Sequence, residues 1–335
     1  MTGKRFKILC IDGGGIKGIF SASVLAKYEE IYGIKMTDYF DLIAGTSTGG
    51  IIALGASLGI PMSDIVKFYE EKGPAIFSCL DLPKTKLGKS LRELRMGIRQ
   101  ALIKSKYDSK NLESALREVF GDAVLKDSNN LLCIPSYKIT TARNRIFKKD
   151  YGPYHTDNKL SYVDVALATA AAPTYFPIKE IENEQYIDGG LWALNPTIVA
   201  LTEFARNFYN KIAPYDYDSV SILSISSCEK SIQDYARMKE RSFYSWKDTL
   251  FDIYTNGQNQ SANFFVEQIR PFLSFNVEII RVANEPLSPN LSPCIEMDSA
   301  SKDSMNLMKG LGSDTAIMQK DCVAKFFETK KTFNF

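Results

Sequence analysis

The sequence predicts an α/β fold, and three stretches carry that expectation. Residues 6–11 form a short β-rich run that ends at Asp12-Gly13-Gly14-Gly15-Ile16-Lys17-Gly18, and a helical pattern through Val24, Leu25 and Tyr28 follows. Strand, glycine loop and helix in that order open a βαβ unit. Residues 42–54 repeat the arrangement: an apolar run, then Gly45-Thr46-Ser47-Thr48-Gly49, then an apolar run with helical character. Residues 220–226 read as a further core strand. At 335 residues, 45% hydrophobic and 24% charged, the chain is long and apolar enough to bury one large core.

The rest of the chain falls into place around these stretches. Residues 62–72 read as a helix with Ser63 as N-cap. Residues 84–110 are the most basic part of the chain; Leu87, Leu91, Leu94, Ile98 and Leu102 share one helical face, while Lys89, Arg92, Arg95 and Arg99 lie on others. A basic amphipathic helix of this kind either packs on its own core or lies on an anionic membrane. Residues 131–140 have strand character, and residues 163–172 form an alanine-rich helix closed by Pro173. Tyr186-Ile187-Asp188-Gly189-Gly190 is a strand end with an acid and two glycines, and Asn195-Pro196-Thr197 starts the next helix. Residues 229–275 are helical and aromatic-rich, residues 277–282 make a last strand, and residues 298–327 contain closing helices.

Several function classes drop out on composition. A formal net charge of +2 gives no global case for nucleic acid. The six cysteines are scattered without a CxxC pair, and Cys10, Cys133 and Cys228 sit in apolar runs, as buried thiols of a reducing compartment do. No metal-ligand set is present and no cofactor is called for. Residues 1–7 are polar and basic and the next run breaks at Asp12, so no signal peptide is read and a cytoplasmic location is expected. The uncharged stretch 42–62 is long enough to span a bilayer, but its glycines, serines, threonines and proline fit a turn better than a membrane helix.

The chemistry centres on Gly45-x-Ser47-x-Gly49. This spacing is a nucleophile elbow, a serine on a strand-to-helix turn so tight that its neighbours two positions away must lack a Cβ. Backbone N–H groups at the start of the following helix then favour negative charge on oxygen. Gly13, Gly15 and Gly18 also match G-x-G-x-x-G, which raises a dinucleotide-binding Rossmann protein as an alternative. That fingerprint wants an acid at the end of the second strand, whereas Asp41 precedes that strand. A serine hydroxyl needs a base. His155, the one histidine, sits in a polar loop, so Asp188 is the better candidate, given a partly desolvated site that raises its pKa.

Asp12 to Gly18, Gly45 to Gly50, Ala171-Ala172-Pro173-Thr174-Tyr175-Phe176-Pro177 and Asp188-Gly189-Gly190 with Asn195-Pro196 resemble, in order and spacing, the patatin-like phospholipases. The resemblance covers about residues 6–200. It implies a three-layer α/β/α sandwich with a central, mostly parallel sheet, and one domain over 1–335 with its core at 6–228 and a helical flank at 229–335. It further implies hydrolysis of acyl esters in membrane phospholipids by a Ser–Asp dyad, with Ser47 as nucleophile, Asp188 as base and the amides of Gly13, Gly14 and Gly15 as oxyanion hole. More narrowly, the chain is similar to bacterial patatin-like effectors of anti-phage defence that a cyclic dinucleotide such as cGAMP switches on. That likeness makes the phospholipid membrane and a cyclic dinucleotide the expected partners, leaves self-association open, and places the active protein peripherally at the inner membrane. An ungated lipase and a non-catalytic lipid or nucleotide sensor are the alternatives, and Arg92, Arg95 and Arg99 are the candidate membrane contacts.

Overall fold

Strand β1 (Arg5–Ile11) is buried along nearly its whole length, which fixes it at the centre of a sheet. The computed structural model describes residues 4–77, 105–152, 154–211, 216–229, 243–288, 291 and 294–331. After β1 come α1 (Gly18–Tyr32), β2 (Leu42–Gly45), α2 (Thr48–Ser57) and α3 (Met62–Ile76). Then follow α4 (Ser109–Phe120), β3 (Leu131–Lys138), β4 (Arg143–Phe147), α5 (Tyr162–Thr169), β5 (Lys179–Ile181), β6 (Glu184–Asp188), the single turn α6 (Gly190–Ala193) and α7 (Thr197–Asn207). The last elements are β7 (Ser219–Ile225), α8 (Phe243–Ile269), β8 (Asn276–Val282) and α9 (Lys302–Val323).

The strands form one mixed sheet in the order β5-β6-β3-β2-β1-β7-β8, with β4 paired to β3 off that path. β3, β2, β1, β7 and β8 run parallel, in a register that sets Ile8 beside both Leu42 and Ile222. β4, β5 and β6 join antiparallel at one side. Side chains alternate across the sheet as the strand period requires. Leu9, Ile11, Ile43, Leu132, Leu223 and Ile225 enter a core shared with α1, α2, α3, α4, α5 and α9. Phe6, Ile8, Cys10, Leu42, Ala44, Leu131, Cys133 and Ile222 enter a second core, on the opposite face, shared with α7 and α8. Burying each large apolar side chain contributes about 2 kcal/mol, so both helix layers are held mainly by what they cover. The result is a three-layer α/β/α sandwich.

Three sequence expectations are corrected in detail. Ser63 does not cap α3: the helix starts at Met62 after Pro61, whose carbonyl accepts from Asp64 N and Ile65 N. The alanine-rich helix ends at Thr169 rather than running on to Ala172, and its cap is Ser161, which accepts from the amides of Val163 and Asp164. The short strands β4 and β5 were not separately expected. Residues 84–104 of the basic segment, with Arg92, Arg95 and Arg99, lie outside the described residues. Among the described residues no helix is long and apolar enough to cross a membrane.

Candidate active site

β1 and β2 are parallel neighbours, so the loops after them, 12–17 and 46–47, emerge side by side at the carboxyl edge of the sheet, where open α/β folds place their ligands. Asp41, which the dinucleotide reading would need near the glycine loop, stands at the other end of β2. Ser47 has φ 56° and ψ −125°, a backbone state that costs a non-glycine residue about 1–3 kcal/mol. The surroundings hold it there. A Cβ on Gly45 would stand 2.1 Å from Gly49 O, and one on Gly49 would stand 2.3 Å from Ile11 O, so neither position admits a side chain. Ser47 N–H donates to Thr169 Oγ1 (3.0 Å), and that hydroxyl donates to Pro135 O (2.6 Å). The elbow is thereby bonded to the end of α5 and to β3.

Asp188 ends β6 opposite Ser136 of β3, and its backbone N–H is held by Ala171 O (3.0 Å). The two candidate residues, 141 positions apart in sequence, meet: Ser47 Oγ donates to Asp188 Oδ2 at 2.7 Å. The other carboxylate oxygen accepts from Gly190 N (2.6 Å). Both side chains are buried, at 7% and 5% exposure. Burial pushes the Asp188 carboxyl up to about 6, against the opposing pull of the Gly190 amide and the Ser47 hydroxyl. A carboxylate with a pKa near neutrality, bonded to a serine on a strained turn, can accept that serine's proton. His155 is exposed in its loop, whereas Ser47 and Asp188 are buried.

The glycine loop lies against the elbow, and a Cβ on Gly13 would stand 3.1 Å from Ser47 Cβ. Here one expectation is corrected. Gly13 N–H is not a free donor, because Leu194 O, brought up by the turn after Asp188, accepts from it at 3.0 Å. The N–H groups of Gly14 and Gly15 have no hydrogen-bond partner among the described residues. Ser227 Oγ donates to Gly13 O (2.7 Å), and since a trans peptide points its C=O and N–H in opposite directions, Gly14 N–H faces away from Ser227. Asp12 at the head of the loop is fully buried and bidentate with Arg281 of β8, with Nη1 to Oδ1 at 3.0 Å. Such a pair anchors the loop, since removing either partner strands a buried charge.

A family model described as patatin-like phospholipase matches residues 9–201. The chain is 31% identical, over 94% of its own length and 90% of the relative's, to a protein named cGAMP-activated phospholipase from Pseudomonas aeruginosa. This chain belongs to the patatin-like phospholipase family. A protein of the same name from Vibrio cholerae is 34% identical over 67% of this chain and 64% of its own. Among solved structures, human GIVD cytosolic phospholipase A2 is similar over 96% of this chain and 60% of its own, at 8% identity and a TM-score of 0.47.

In this patatin-like phospholipase an apolar pocket opens beside Ser47. Ile51, Phe68, Ile76, Leu112, Phe176 and Met297 line it, enclosing about 570 Å³ with its open mouth included. Met297 belongs to a strap, 294–300, that crosses the glycine loop: Met297 O accepts from Ile16 N (2.8 Å), and Asp298 accepts from Lys106 Nζ and Tyr107 Oη (2.8 Å). Sequence reasoning missed Thr169, Ser227, Arg281 and Met297. Thr169 alone carried a signal, as the one polar residue closing an alanine-rich helix; the other three lie beyond the matched span and reach the site only through the fold.

Proposed function

We propose that this chain is a lipid acyl hydrolase of phospholipase A type that cleaves the carboxylic esters of membrane phospholipids, and that a cyclic dinucleotide such as cGAMP activates it. The observation that carries the hydrolase reading is the 2.7 Å bond from Ser47 Oγ to a buried Asp188 carboxylate beside an apolar pocket. In the reaction Asp188 takes the Ser47 proton as Oγ attacks the ester carbonyl. The amides of Gly14 and Gly15 receive the oxyanion. Collapse breaks the bond to the lysophospholipid oxygen, which leaves with the proton from Asp188. Asp188 then takes a proton from water, the hydroxide attacks the acyl-enzyme, and fatty acid and free Ser47 result. One oxyanion donor is worth about 10²–10³-fold in rate. The apolar pocket takes the acyl chain, and the active protein works peripherally at the membrane, with Arg92, Arg95 and Arg99 as contacts to anionic lipid.

The activation reading is supported by the relatives that share most of this chain's length and are named for cGAMP. The test is turnover of the purified protein on phospholipid vesicles with and without cGAMP, beside Ser47→Ala and with a fluorophosphonate label. The expectation is labelling at Ser47, no turnover by Ser47→Ala, and stimulation of at least ~tenfold, a differential of ~1.4 kcal/mol. A label on another residue would refute the nucleophile, and full turnover unaffected by cGAMP would leave an ungated lipase.

A further inference from the structure

We propose that the groove between α6–α7 and α8 is a nucleobase site, and that a cyclic dinucleotide acts on Asp188 from there. The inference rests on the cyclic-dinucleotide reading above. The groove encloses about 1040 Å³ with its open mouth included. Its walls carry the rings of Trp192, Tyr254 and Phe265, and Asn195, Gln258 and Ser261 supply amide and hydroxyl groups between them. Phe265 is 55% exposed and Tyr254 39%, large apolar surface that a soluble protein rarely leaves open in a groove without use. Flat rings suit the faces of heterocyclic bases, and amides and hydroxyls suit their edges. At Gly257, an exposed residue that lines the groove, a Cβ would meet nothing within 4 Å. There is room where a ligand would lie.

The position of this groove gives it a route to the chemistry. Tyr254 Oη and Gln258 Nε2 (2.9 Å) both donate to Leu191 O, in the single turn α6. The residue before, Gly190, donates its N–H to Asp188 Oδ1. The residue after, Trp192, donates Nε1 to Ser136 O (2.9 Å), and Ser136 is the cross-strand partner of Asp188. A base that stacks on Trp192 and takes the Gln258 amide therefore competes with bonds made by Leu191 and Trp192, three and four residues on from Asp188. Activation follows if the groove in the active arrangement binds the ligand better than in the resting one.

A second cavity is the rival for an anionic ligand. It lies at the opposite end of the sheet, among Lys4, Arg5, Lys7, Lys325, Lys330 and Lys331. Those cations are largely engaged already. Arg5 and Lys325 pair with Glu278, Lys330 with Asp38 and Lys4 with Asp216, while Lys7 donates to Phe326 O and Thr329 O. Its aromatic ring, Phe326, is 1% exposed and offers no face to a base. The groove beside α8 has the reverse character, and none of the described residues that line it is cationic. The phosphates therefore lie toward its mouth, and binding should depend only weakly on salt.

The test is titration calorimetry of cGAMP into wild-type protein, Gly257→Phe, Gly257→Ala and Phe265→Ala, beside unstimulated hydrolysis of a soluble short-chain ester and a thermal melt. Replacing a helical glycine raises helix propensity, so both Gly257 variants should fold. Gly257→Phe should weaken cGAMP binding by at least ~30-fold and abolish stimulation while unstimulated hydrolysis stays within ~twofold; Gly257→Ala should bind like wild type. Phe265→Ala should weaken binding by at least ~tenfold, the loss of one stacked base. Raising salt from 50 to 300 mM should cost less than ~threefold. Wild-type protein that neither binds cGAMP nor responds to it overturns the activation reading and this site together. Wild-type binding that Gly257→Phe and Phe265→Ala both retain overturns the site alone. A steep salt dependence, with loss of binding in Lys4→Glu or Lys330→Glu, moves the ligand to the opposite cavity.

Discussion

Asp188→Asn should kill the enzyme and stabilise the protein, and the two effects should share one pH window. Burial raises the Asp188 carboxyl from an ordinary 3.8 to about 6. In the unfolded chain the group loses its proton near 3.8, while in the folded protein it keeps the proton until about 6. The folded state thus binds more protons across that interval, and stability falls as pH rises through it. Above pH 6 the penalty is complete. At about 1.4 kcal/mol per pH unit, the interval amounts to about 3 kcal/mol. Asparagine keeps an oxygen for Gly190 N–H and a polar partner for Ser47 Oγ, and it carries no charge to desolvate. Melting at pH 8 should rise by several degrees in Asp188→Asn, and the gain should shrink as pH falls below 6 and vanish below about pH 3, where aspartate too is neutral in both states. Asp41, also raised to about 6 by burial, is common to both proteins and cancels in the comparison. For activity, kcat/KM of the wild type on a soluble ester should fall tenfold per pH unit below about 6, because the base must be ionised in the free enzyme. An equal stability difference at pH 4 and pH 8 would refute the desolvated carboxylate. A flat kcat/KM profile between pH 5 and 8 would refute Asp188 as base.

Three further outcomes are expected. Thr169→Val leaves Ser47 N–H and Pro135 O without partners in a buried site, at about 1–3 kcal/mol each, so the melt should drop by several degrees and kcat by about tenfold; Thr169→Ser should restore both, and an unchanged kcat in the valine variant would reduce Thr169 to scaffold. Ser227→Ala frees the Gly13 carbonyl and loosens the aim of Gly14 N–H, so kcat on a short-chain ester should fall by about tenfold with KM unchanged, and a change confined to KM would argue against Gly14 as oxyanion donor. Charge reversal at Arg92, Arg95 and Arg99 together should weaken binding to anionic liposomes by about 1 kcal/mol per residue and spare the soluble ester, whereas equal loss on both substrates would make the segment structural.

What the sequence revealed about this site was local, and what it hid was remote. The elbow is legible because the close approaches at Gly45 and Gly49 forbid a Cβ, and a run of five residues records that demand. Asp188 is legible because an acid before two glycines at a strand end is a local pattern as well. The glycine loop was legible as a cradle but not in its donor set, since Gly13 N–H is taken by Leu194 O, 181 residues away in sequence. No periodicity announces that contact. The apolar run along β1 marks a strand, while β4 and β5, at three to five residues each, are too short to show a period. α5 ends at Thr169, whose hydroxyl is committed to Pro135 O and the elbow, four residues before the Pro173 at which the sequence predicts its close.

The turn 190–194 touches three parts of the site. Gly190 N–H holds Asp188 Oδ1, Ala193 O accepts from Thr46 Oγ1 at 2.6 Å beside Ser47, and Leu194 O holds Gly13 N–H. Asp188, elbow and glycine loop each take one bond from it. A shift of this one turn would alter all three at once, and would release Gly13 N–H to join its neighbours as an oxyanion donor. A resting enzyme with that amide engaged would then lack part of its transition-state stabilisation, and a ligand that moved the turn would restore it. Amide hydrogen exchange of the Ser47→Ala protein checks the idea without turnover. With saturating cGAMP, protection should change at residues 189–195 and at Gly13, while the central strands β1 and β7 keep theirs. The Gly13 amide should exchange faster by at least ~fivefold. Unchanged exchange across 189–195 in protein that binds cGAMP and is stimulated by it would mean that activation reaches Ser47 by another route.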